Sequence, residues 1–362
     1  MLGVIWPDVR DRFGQSLGAL GTVSLVYGIA RMSTSGAGRA ATQRFGISAC
    51  FLTALGGLVV ADLVMAGASS WSTFLVGAAA IGVVSGLLDS VGAGVIANLG
   101  DVGSAGLILG FYGVGATMGP LIVAVVPDWR WSLVAASAIA AGALTIAYIA
   151  RSSWPDPTAA AAAATTETGT QPSGRPPLRG TAISLLSFFA FVALEVTFGN
   201  WLFTYLTEAR SFSDTVAAIG VSGFWGGSMM GRIALVSPRI RSSIDRIGLP
   251  IAATAGAVGL GVVVVAPGFT VVVATTLVGL ALAPIIPTLS ARTALRVGPD
   301  HAQQVSGWQL LAANVGAISL PWLTGRLIDA TEPAAIMVVA LVVFAFGLPI
   351  LVVARPDRPT PA

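Results

Sequence analysis

The stretch Val114-Gly-Ala-Thr-Met-Gly-Pro120 decides the fold, because a similar stretch, Val315-Gly-Ala-Ile-Ser-Leu-Pro321, occurs 201 positions later. A second stretch, Phe13-Gly-Gln-Ser-Leu-Gly-Ala-Leu-Gly21, returns as Phe212-Ser-Asp-Thr-Val-Ala-Ala-Ile-Gly220. The matches keep their order and nearly their spacing, which chance similarity between apolar helices rarely does. A long internal repeat in an apolar chain is typical of transporters built from two equivalent helix bundles.

The composition indicates that lipid is the solvent. The 362 residues are 55% hydrophobic and only 10% charged, whereas a soluble domain averages about 25% charged residues. The net charge of +3 is too small and too dispersed to indicate a nucleic-acid partner. The single cysteine, Cys50, lies in an apolar run, so we interpret it as a small core residue that forms no intramolecular disulfide.

Eleven stretches are long and apolar enough to span a bilayer, which takes about 20 residues. They lie at 17–36, 47–66, 71–97, 104–126, 131–150, 181–207, 215–237, 248–267, 269–291, 303–325 and 334–354. The prediction is therefore an all-α integral membrane protein made of two helix bundles related by a pseudo-twofold axis. Residues 1–150 form the first bundle, residues 151–180 a flexible linker rich in Pro, Ala and Thr, and residues 181–362 a second bundle of six helices.

The repeat also predicts that the first helix of a twelve-helix fold is mostly missing. Trp6 aligns with Tyr205, which follows nearly a whole spanning helix, whereas only five residues precede Trp6. We expect roughly 20 residues, one helix by bilayer thickness, upstream of Met1. A native form with eleven helices is the alternative.

Arginine placement predicts the orientation in the membrane. Loops at one end of the predicted bundles carry most of the arginines, among them Arg39, Arg44, Arg151, Arg175, Arg179, Arg239, Arg241, Arg246, Arg296, Arg355 and Arg358. The other end carries Arg10, Arg12, Arg130 and Arg210. Because cytoplasmic loops are rich in Lys and Arg, we expect the linker and the C-terminus in the cytoplasm of a cell whose inner or plasma membrane holds the protein.

Two carboxylates lie inside predicted spans and away from the span ends. Glu195 lies close to mid-membrane, where a charge costs about 2.5–3.5 kcal/mol on insertion scales, so we expect it to face a central cavity and to exchange protons. Asp89 is the second such residue. The alternative for both is a structural hydrogen bond between helices. We interpret Asp62 as reaching water at the end of its helix, and Arg31, Arg232 and Arg292 as extending to cytoplasmic helix ends.

Amide and aromatic side chains at cavity depth are candidates to bind a polar or amphipathic solute. Amides hydrogen-bond hydroxyl groups and need partners in hydrocarbon, and aromatic rings stack on the apolar faces of sugars. The candidate residues are Asn200, Trp201, Asn314, Gln309, Trp308, Trp225, Phe111 and Tyr112. Each aromatic residue alone is more often a packing residue.

Motifs for other chemistry are not found in the sequence. It has one histidine, His301, and one cysteine, and it shows neither a metal-ligand cluster nor a phosphate-binding Gly-rich loop. The prediction is that the protein is not an enzyme and needs no metal or other cofactor.

A basic loop motif connects the repeat to a known family. Gly231-Arg232 with Asp245-Arg246-Ile-Gly248 is similar to the cytoplasmic loop motif of the major facilitator superfamily, and Gln43-Arg44-Phe-Gly46 is a first-half copy with Gln for Asp. The whole chain resembles this family. The resemblance implies two six-helix bundles, a central site and alternating access. We expect a group of gating residues at the cytoplasmic bundle ends, namely Arg44, Arg232, Arg241, Asp245 and Arg246.

Further motifs narrow the resemblance. Glu195-Val-Thr-Phe-Gly-Asn-Trp201, Phe224-Trp-Gly-Gly-Ser-Met-Met-Gly-Arg232 and Ala283-Pro-Ile-Ile-Pro-Thr288 are similar to the fucose/glucose–proton symporter group, as is the segment from Asn314 to Trp322. The resemblance implies a proton-coupling carboxylate on the fourth helix, which Asp89 matches, although Gly92 replaces an Asn expected shortly after it.

The leading hypothesis is a monomeric secondary transporter that moves a small polar solute, such as a sugar, together with protons. An exporter of amphipathic compounds is the second hypothesis. A membrane sensor or scaffold without transport is the third, and the intramembrane Glu195 argues against it because a scaffold gains nothing from a buried charge.

Overall fold

Helices dominate because lipid offers no partner to backbone N–H and C=O groups, which must then bond within their own segment. The structure, a computed structural model, describes residues 1–35, 38–99, 102–126, 128–153 and 174–353, without the side chains of 38–39, 93–99, 102–112, 152–153 and 245–247. Every regular element in those ranges is helical.

The first half of the described chain holds seven α-helices. They are α1 (Leu2–Phe13), α2 (Ala19–Ser35), α3 (Gly38–Phe45), α4 (Ile47–Ala66), α5 (Trp71–Leu99), α6 (Val102–Val125) and α7 (Trp129–Ile149). A short 3-10 helix, Ala150–Ser153, follows α7.

The second half of the described chain holds nine α-helices. They are α8 (Leu178–Thr204), α9 (Asp214–Ala234), α10 (Pro238–Ile247), α11 (Leu249–Val265), α12 (Thr270–Leu282), α13 (Ile285–Ala291), α14 (Thr293–Val297), α15 (Pro299–Ala330) and α16 (Ala335–Val353). One π-helical turn, Tyr205–Ala209, extends α8.

The prediction of an all-α membrane fold is confirmed. Each of the eleven predicted spans falls on a helix, although the span at 269–291 is divided between α12 and α13. By length and composition, six helices of the described ranges can cross a membrane, or seven if the bent pair Pro238–Ile244 and Leu249–Val265 counts as one span. The spans did not predict the short helices α3, α10 and α14.

Helix packing follows the sequence repeat. In the first half, α2 packs on α5, α4 packs on α5, and α4 packs on α7. In the second half, α9 packs on α12, α11 packs on α12, and α11 packs on α16. The two sets of pairs correspond helix by helix, so the repeated sequences produce the same local packing in each half.

Two glycines of the repeat adopt the same unusual backbone. Gly46 precedes α4 with φ 83° and ψ 157°, and Gly248 precedes α11 with φ 87° and ψ 147°. A side chain is strained at such positive φ angles, which explains glycine at both positions. Each glycine ends a short amphipathic helix, α3 or α10, and begins a spanning one.

The described residues fall into two compact units. The first unit comprises Ile5–Ile108 and Ile122–Gln171, and the second comprises Met1–Val4, Leu109–Leu121 and Pro172–Ala362. The middle of α6 thus belongs with the second half of the chain. Residues 154–173 of the expected linker lie outside the described ranges, so the division into two bundles and a linker stays a prediction.

Candidate functional site

Glu195 is buried in the second unit. It lies on α8, the helix that packs on α15, α16 and α9, and only 8% of it is exposed. A carboxylate in such surroundings needs both a counter-charge and hydrogen-bond donors.

Arg232 supplies the counter-charge from α9. Its Nη2 atom donates to both carboxylate oxygens of Glu195, at 2.5 Å to Oε1 and 2.7 Å to Oε2. The Ser228 hydroxyl, one turn before Arg232, donates to Oε1 at 2.9 Å. Arg232 lies in the last turn of α9, near the helix end as predicted, but its guanidinium group turns to the buried acid.

Arg31 and Asp89 form a similar pair in the first unit. The Nε atom of Arg31, on α2, donates to Oδ2 of Asp89, on α5, at 2.6 Å. The Asp89 side chain is 43% exposed, compared with 11% for that of Glu195. Arg31 likewise lies near the end of its helix, but its guanidinium group bonds to Asp89. Among the described residues, an arginine–carboxylate pair thus joins two helices in each unit.

The two arginines are equivalent positions of the repeat. Arg31 and Arg232 are 201 positions apart, which is also the spacing from Val114 to Val315. Sequence reasoning missed this correspondence, although the repeat spacing carried the signal.

Two solute-binding candidates have polar groups engaged inside the second unit. Trp201 is fully buried, and its Nε1 atom donates to the Pro321 carbonyl oxygen at 3.1 Å. Gln309 is also buried, and its Nε2 atom donates to the Thr293 hydroxyl at 3.0 Å. These contacts join α8 to α15 and α14 to α15, so they support packing.

Other candidates keep accessible surface. Trp225 is half-buried, and its ring packs over Gly199 and edge-on against Phe224 with centroids 5.1 Å apart. Asn200 and Asn314 are half-buried, and Trp308 is exposed. In the described part of the chain, Asn314 has no hydrogen bond from its amide. The side chains of Phe111 and Tyr112 lie outside the described residues, and their backbone belongs to α6.

The middle of α6 approaches α9 beside the buried pair. A Cβ at Gly113 would meet the Met229 side chain at 2.5 Å, and one at Gly226 would meet the Thr117 methyl group at 3.5 Å. Met229 lies next to Ser228, and Gly226 lies next to Trp225. Helix α6 therefore approaches α9 at Gly226 and Met229, the sequence neighbours of Trp225 and Ser228.

The expected gating residues are only partly described. Arg44 is exposed on α3, where its guanidinium group lies 5.3 Å from the centre of the Phe45 ring. Arg241 donates from Nε and Nη2 to the Leu235 carbonyl oxygen, at 3.3 Å and 3.2 Å. The side chains of Asp245 and Arg246 lie outside the described residues, and both positions belong to α10.

Asp62 is a buried acid that sequence reasoning did not select. Only 6% of it is exposed, and it has no hydrogen bond or ion pair among the described residues. Its expected position near the end of α4, which ends at Ala66, is found, but the residue is largely buried rather than in contact with water. No group of three or more His, Cys, Asp or Glu residues that could hold a metal ion occurs in the described part.

The apolar helices, which are long enough to cross a membrane and repeat their packing in the two halves, indicate a multi-pass membrane protein. The chain belongs to the Major Facilitator Superfamily, whose family model matches residues 1–270. This membership confirms the predicted family and favours a transporter over an enzyme.

Two curated relatives are similar in sequence to part of this chain. The chain is 28% identical over 170 residues, 46% of its length, to a glucose/galactose transporter of Brucella abortus, and the match spans 40% of that protein. It is 38% identical over 60 residues to Bypass of stop codon protein 6 of Saccharomyces cerevisiae, which is 16% of this chain and 12% of the yeast protein. The chain thus matches less than half the length of each relative.

A solved structure agrees with the fold. The human organic anion transporter MFSD10 (TETRAN) superposes with a TM-score of 0.67, covering 91% of this chain and 83% of that one at 17% identity. At this identity the similarity supports the architecture alone.

Proposed function

We propose that the chain is a secondary active transporter that moves a small polar solute together with protons by alternating access. The observation that carries the proposal is the buried contact of Glu195 with Arg232 and Ser228. A buried ion pair contributes little net stability, so a protein that does not move charge has little reason to keep one between its membrane helices.

Proton uptake at Glu195 would change the whole contact. An ionised Glu195 accepts hydrogen bonds from Arg232 on both oxygens. Adding a proton removes the negative charge, and the guanidinium group of Arg232 then loses its counter-ion. Arg232, whose side chain is 33% exposed, becomes free to interact with water or an incoming polar solute. Proton binding and solute binding would then favour each other, as symport requires.

A sugar is the first solute to test. Trp225 offers a ring face, and Asn200 and Asn314 offer amides that match hydroxyl groups. The Brucella abortus relative is a glucose/galactose transporter, which supports this class of solute without naming the molecule. Asp89, paired with Arg31, is the second acid that we assign to proton coupling.

The arginine distribution supports the membrane and orientation that we propose. We place the protein in the inner or plasma membrane as a monomer, with the end of the bundles that carries Arg175, Arg179 and Arg241 in the cytoplasm. The gating role of the arginines at that end belongs to the same proposal.

The test uses purified protein in proteoliposomes with an imposed pH gradient and labelled glucose or galactose. We expect the parent to accumulate sugar, and Glu195→Gln and Asp89→Asn to lose accumulation while retaining exchange, because both changes keep side-chain size but remove the titration. Glu332→Gln, at an exposed loop residue, is the control. Accumulation by both variants at the parent's level would exclude these acids, and drug efflux without sugar uptake would favour the exporter hypothesis.

A further inference from the structure

Near one end of the second unit lie three buried polar atoms that have no hydrogen-bond partner among the described residues. They are Oγ1 of Thr181, on the first turn of α8, Nη1 of Arg296, on α14, and Nδ1 of His301, on the first turn of α15. Buried polar groups almost always have hydrogen-bond partners, so each exception needs an explanation.

Arg296 is fixed in place by neutral groups. Its Nε atom donates to the Ser184 hydroxyl at 2.8 Å, and its Nη2 atom donates to the Leu289 carbonyl oxygen at 2.5 Å and to the Thr293 hydroxyl at 3.3 Å. The remaining nitrogen, Nη1, has hydrogen atoms to donate and finds no acceptor in the part of the chain that the structure describes. These contacts fix the orientation of the guanidinium group and leave Nη1 as its unused donor.

Thr181 lies on the same side of α8 as the contacts to Arg296. It precedes Ser184 by three residues, which places both hydroxyls on one helix face. Its neighbour Gly180 lies against the Arg296 backbone, where a Cβ would overlap the carbonyl oxygen. Thr181 is 8% exposed, so water outside the protein does not satisfy its hydroxyl. The N–H groups that begin α8 add donors at this position.

Arg296 forms no ion pair among the described residues, and burial together with nearby Arg292 lowers the pKa of Arg296 to about 10. Asp300 is exposed and likewise forms no ion pair in the described ranges. Two further arginines, Arg175 and Arg179, are exposed at the start of α8. A bound anion would relieve the repulsion between Arg292 and Arg296.

We propose that Arg296, Thr181 and the start of α8 bind a phosphate group, from an anionic phospholipid or from free phosphate. The free Nη1 of Arg296 and the Thr181 hydroxyl can both donate hydrogen bonds, and a phosphate offers several charged acceptor oxygens that suit an arginine and a helix N-terminus. The site lies on helices α8, α14 and α15, away from the Glu195 contact, so it is independent of the transport proposal.

The test measures thermal stability of the full chain, purified in detergent without phosphate. The probes are sodium phosphate, sodium chloride at matched ionic strength, and mixed micelles that contain phosphatidylglycerol or phosphatidylcholine. We expect phosphate or phosphatidylglycerol, but neither sodium chloride nor phosphatidylcholine, to raise the Tm in a saturable way. The probe that acts at the lower concentration identifies the source of the phosphate group.

Variants localise the effect. Thr181→Val keeps the side-chain shape but removes the hydroxyl, and we expect it to weaken the apparent affinity roughly tenfold, the loss of one hydrogen bond to a charged group. Arg296→Gln should abolish saturation, and Arg326→Gln, at an exposed arginine near the other end of α15, should match the parent. If Arg296→Gln fails to fold, the apparent phosphate affinity of Thr181→Val alone tests whether the site is correct. A Tm that follows ionic strength alone, or parent-like affinity in Thr181→Val, would overturn the proposal and leave water as the occupant.

Discussion

At the scale of single residues, the two arginine–carboxylate pairs differ in burial, so their stability contributions should differ. Arg232→Gln leaves Glu195 as a buried acid without its counter-ion, and we expect it to lower the free energy of unfolding by about 3–5 kcal/mol. The double variant Glu195→Gln/Arg232→Gln removes the stranded charge and should recover much of this loss. Denaturant unfolding of the purified protein measures both.

The matched control is Arg31→Gln. Its pair with Asp89 is more exposed, so we expect Arg31→Gln to cost less stability than Arg232→Gln. Equal losses in Arg31→Gln and Arg232→Gln, or no recovery in the double variant, would contradict the role given to burial.

Asp62 offers a second residue-scale prediction. It is buried without a hydrogen bond or ion pair among the described residues, and replacing an unsatisfied buried polar group by an apolar one is neutral or stabilising. We expect Asp62→Leu to leave the Tm unchanged or raise it, whereas the same change at Glu195 should lower it. A large decrease in the Tm of Asp62→Leu would reveal a partner or a function for this acid.

At the scale of helices, the crossing of α9 and α12 depends on glycine. A Cβ at Gly227 would overlap the Thr276 carbonyl oxygen, and one at Gly279 would overlap that of Phe224. Small residues let helix backbones approach closely in lipid. We expect Gly227→Ala to destabilise the protein by about 1–3 kcal/mol, the range for overpacking, as measured by thermal shift.

Gly261 is the control for that change. It lies inside α11, where nothing is within 4 Å of an added Cβ. Alanine favours a helix over glycine by roughly 0.5–1 kcal/mol, so Gly261→Ala should be neutral or stabilising. If both alanine variants behave alike, close approach is not the reason for Gly227.

A second element-scale prediction concerns arginines that cap helix ends. Arg210 donates to the carbonyl oxygens of Val263 (2.6 Å), Val264 and Ala266 (3.0 Å) at the end of α11. Arg210→Ala removes a cation from a negative helix end and should cost about 1.5–3 kcal/mol. Arg210→Lys should lose less, because it keeps the charge. Chemical denaturation of the two variants tests the difference, and equal losses would argue against a role for charge.

The same elements show what the sequence could predict. Long apolar stretches located each helix of the described ranges that is long and apolar enough to cross a membrane, because length and hydropathy are local properties. The partners of Glu195 and Asp89 were not predicted, because each contact joins residues 37 or 58 positions apart on different helices. Trp201 and Gln309 were selected as solute ligands, yet their polar groups bond to Pro321 and Thr293. A polar residue in an apolar run has the same sequence pattern in either role.

At the scale of the whole molecule, the predicted orientation can be tested by cysteine labelling. The single cysteine, Cys50, is buried, so the parent should react slowly. In a Cys50→Ser background, Arg175→Cys should react with an impermeant thiol reagent only from the cytoplasmic side, and Glu332→Cys only from outside. Both positions are exposed in the structure. Labelling with the opposite sidedness would reverse the orientation that arginine placement predicts.

The paired arginines have a consequence for how relatives of this chain can vary. Arg31 and Arg232 are equivalent positions, but the position 201 residues after Asp89 is Ser290, and Arg232 instead bonds to Glu195 on α8. Each arginine should therefore vary together with its own acid among relatives, independently of the other pair. A relative that has lost Arg31 should be free to replace Asp89 while keeping both Glu195 and Arg232, and an alignment in which all four residues vanish together would show that the two copies are not independent.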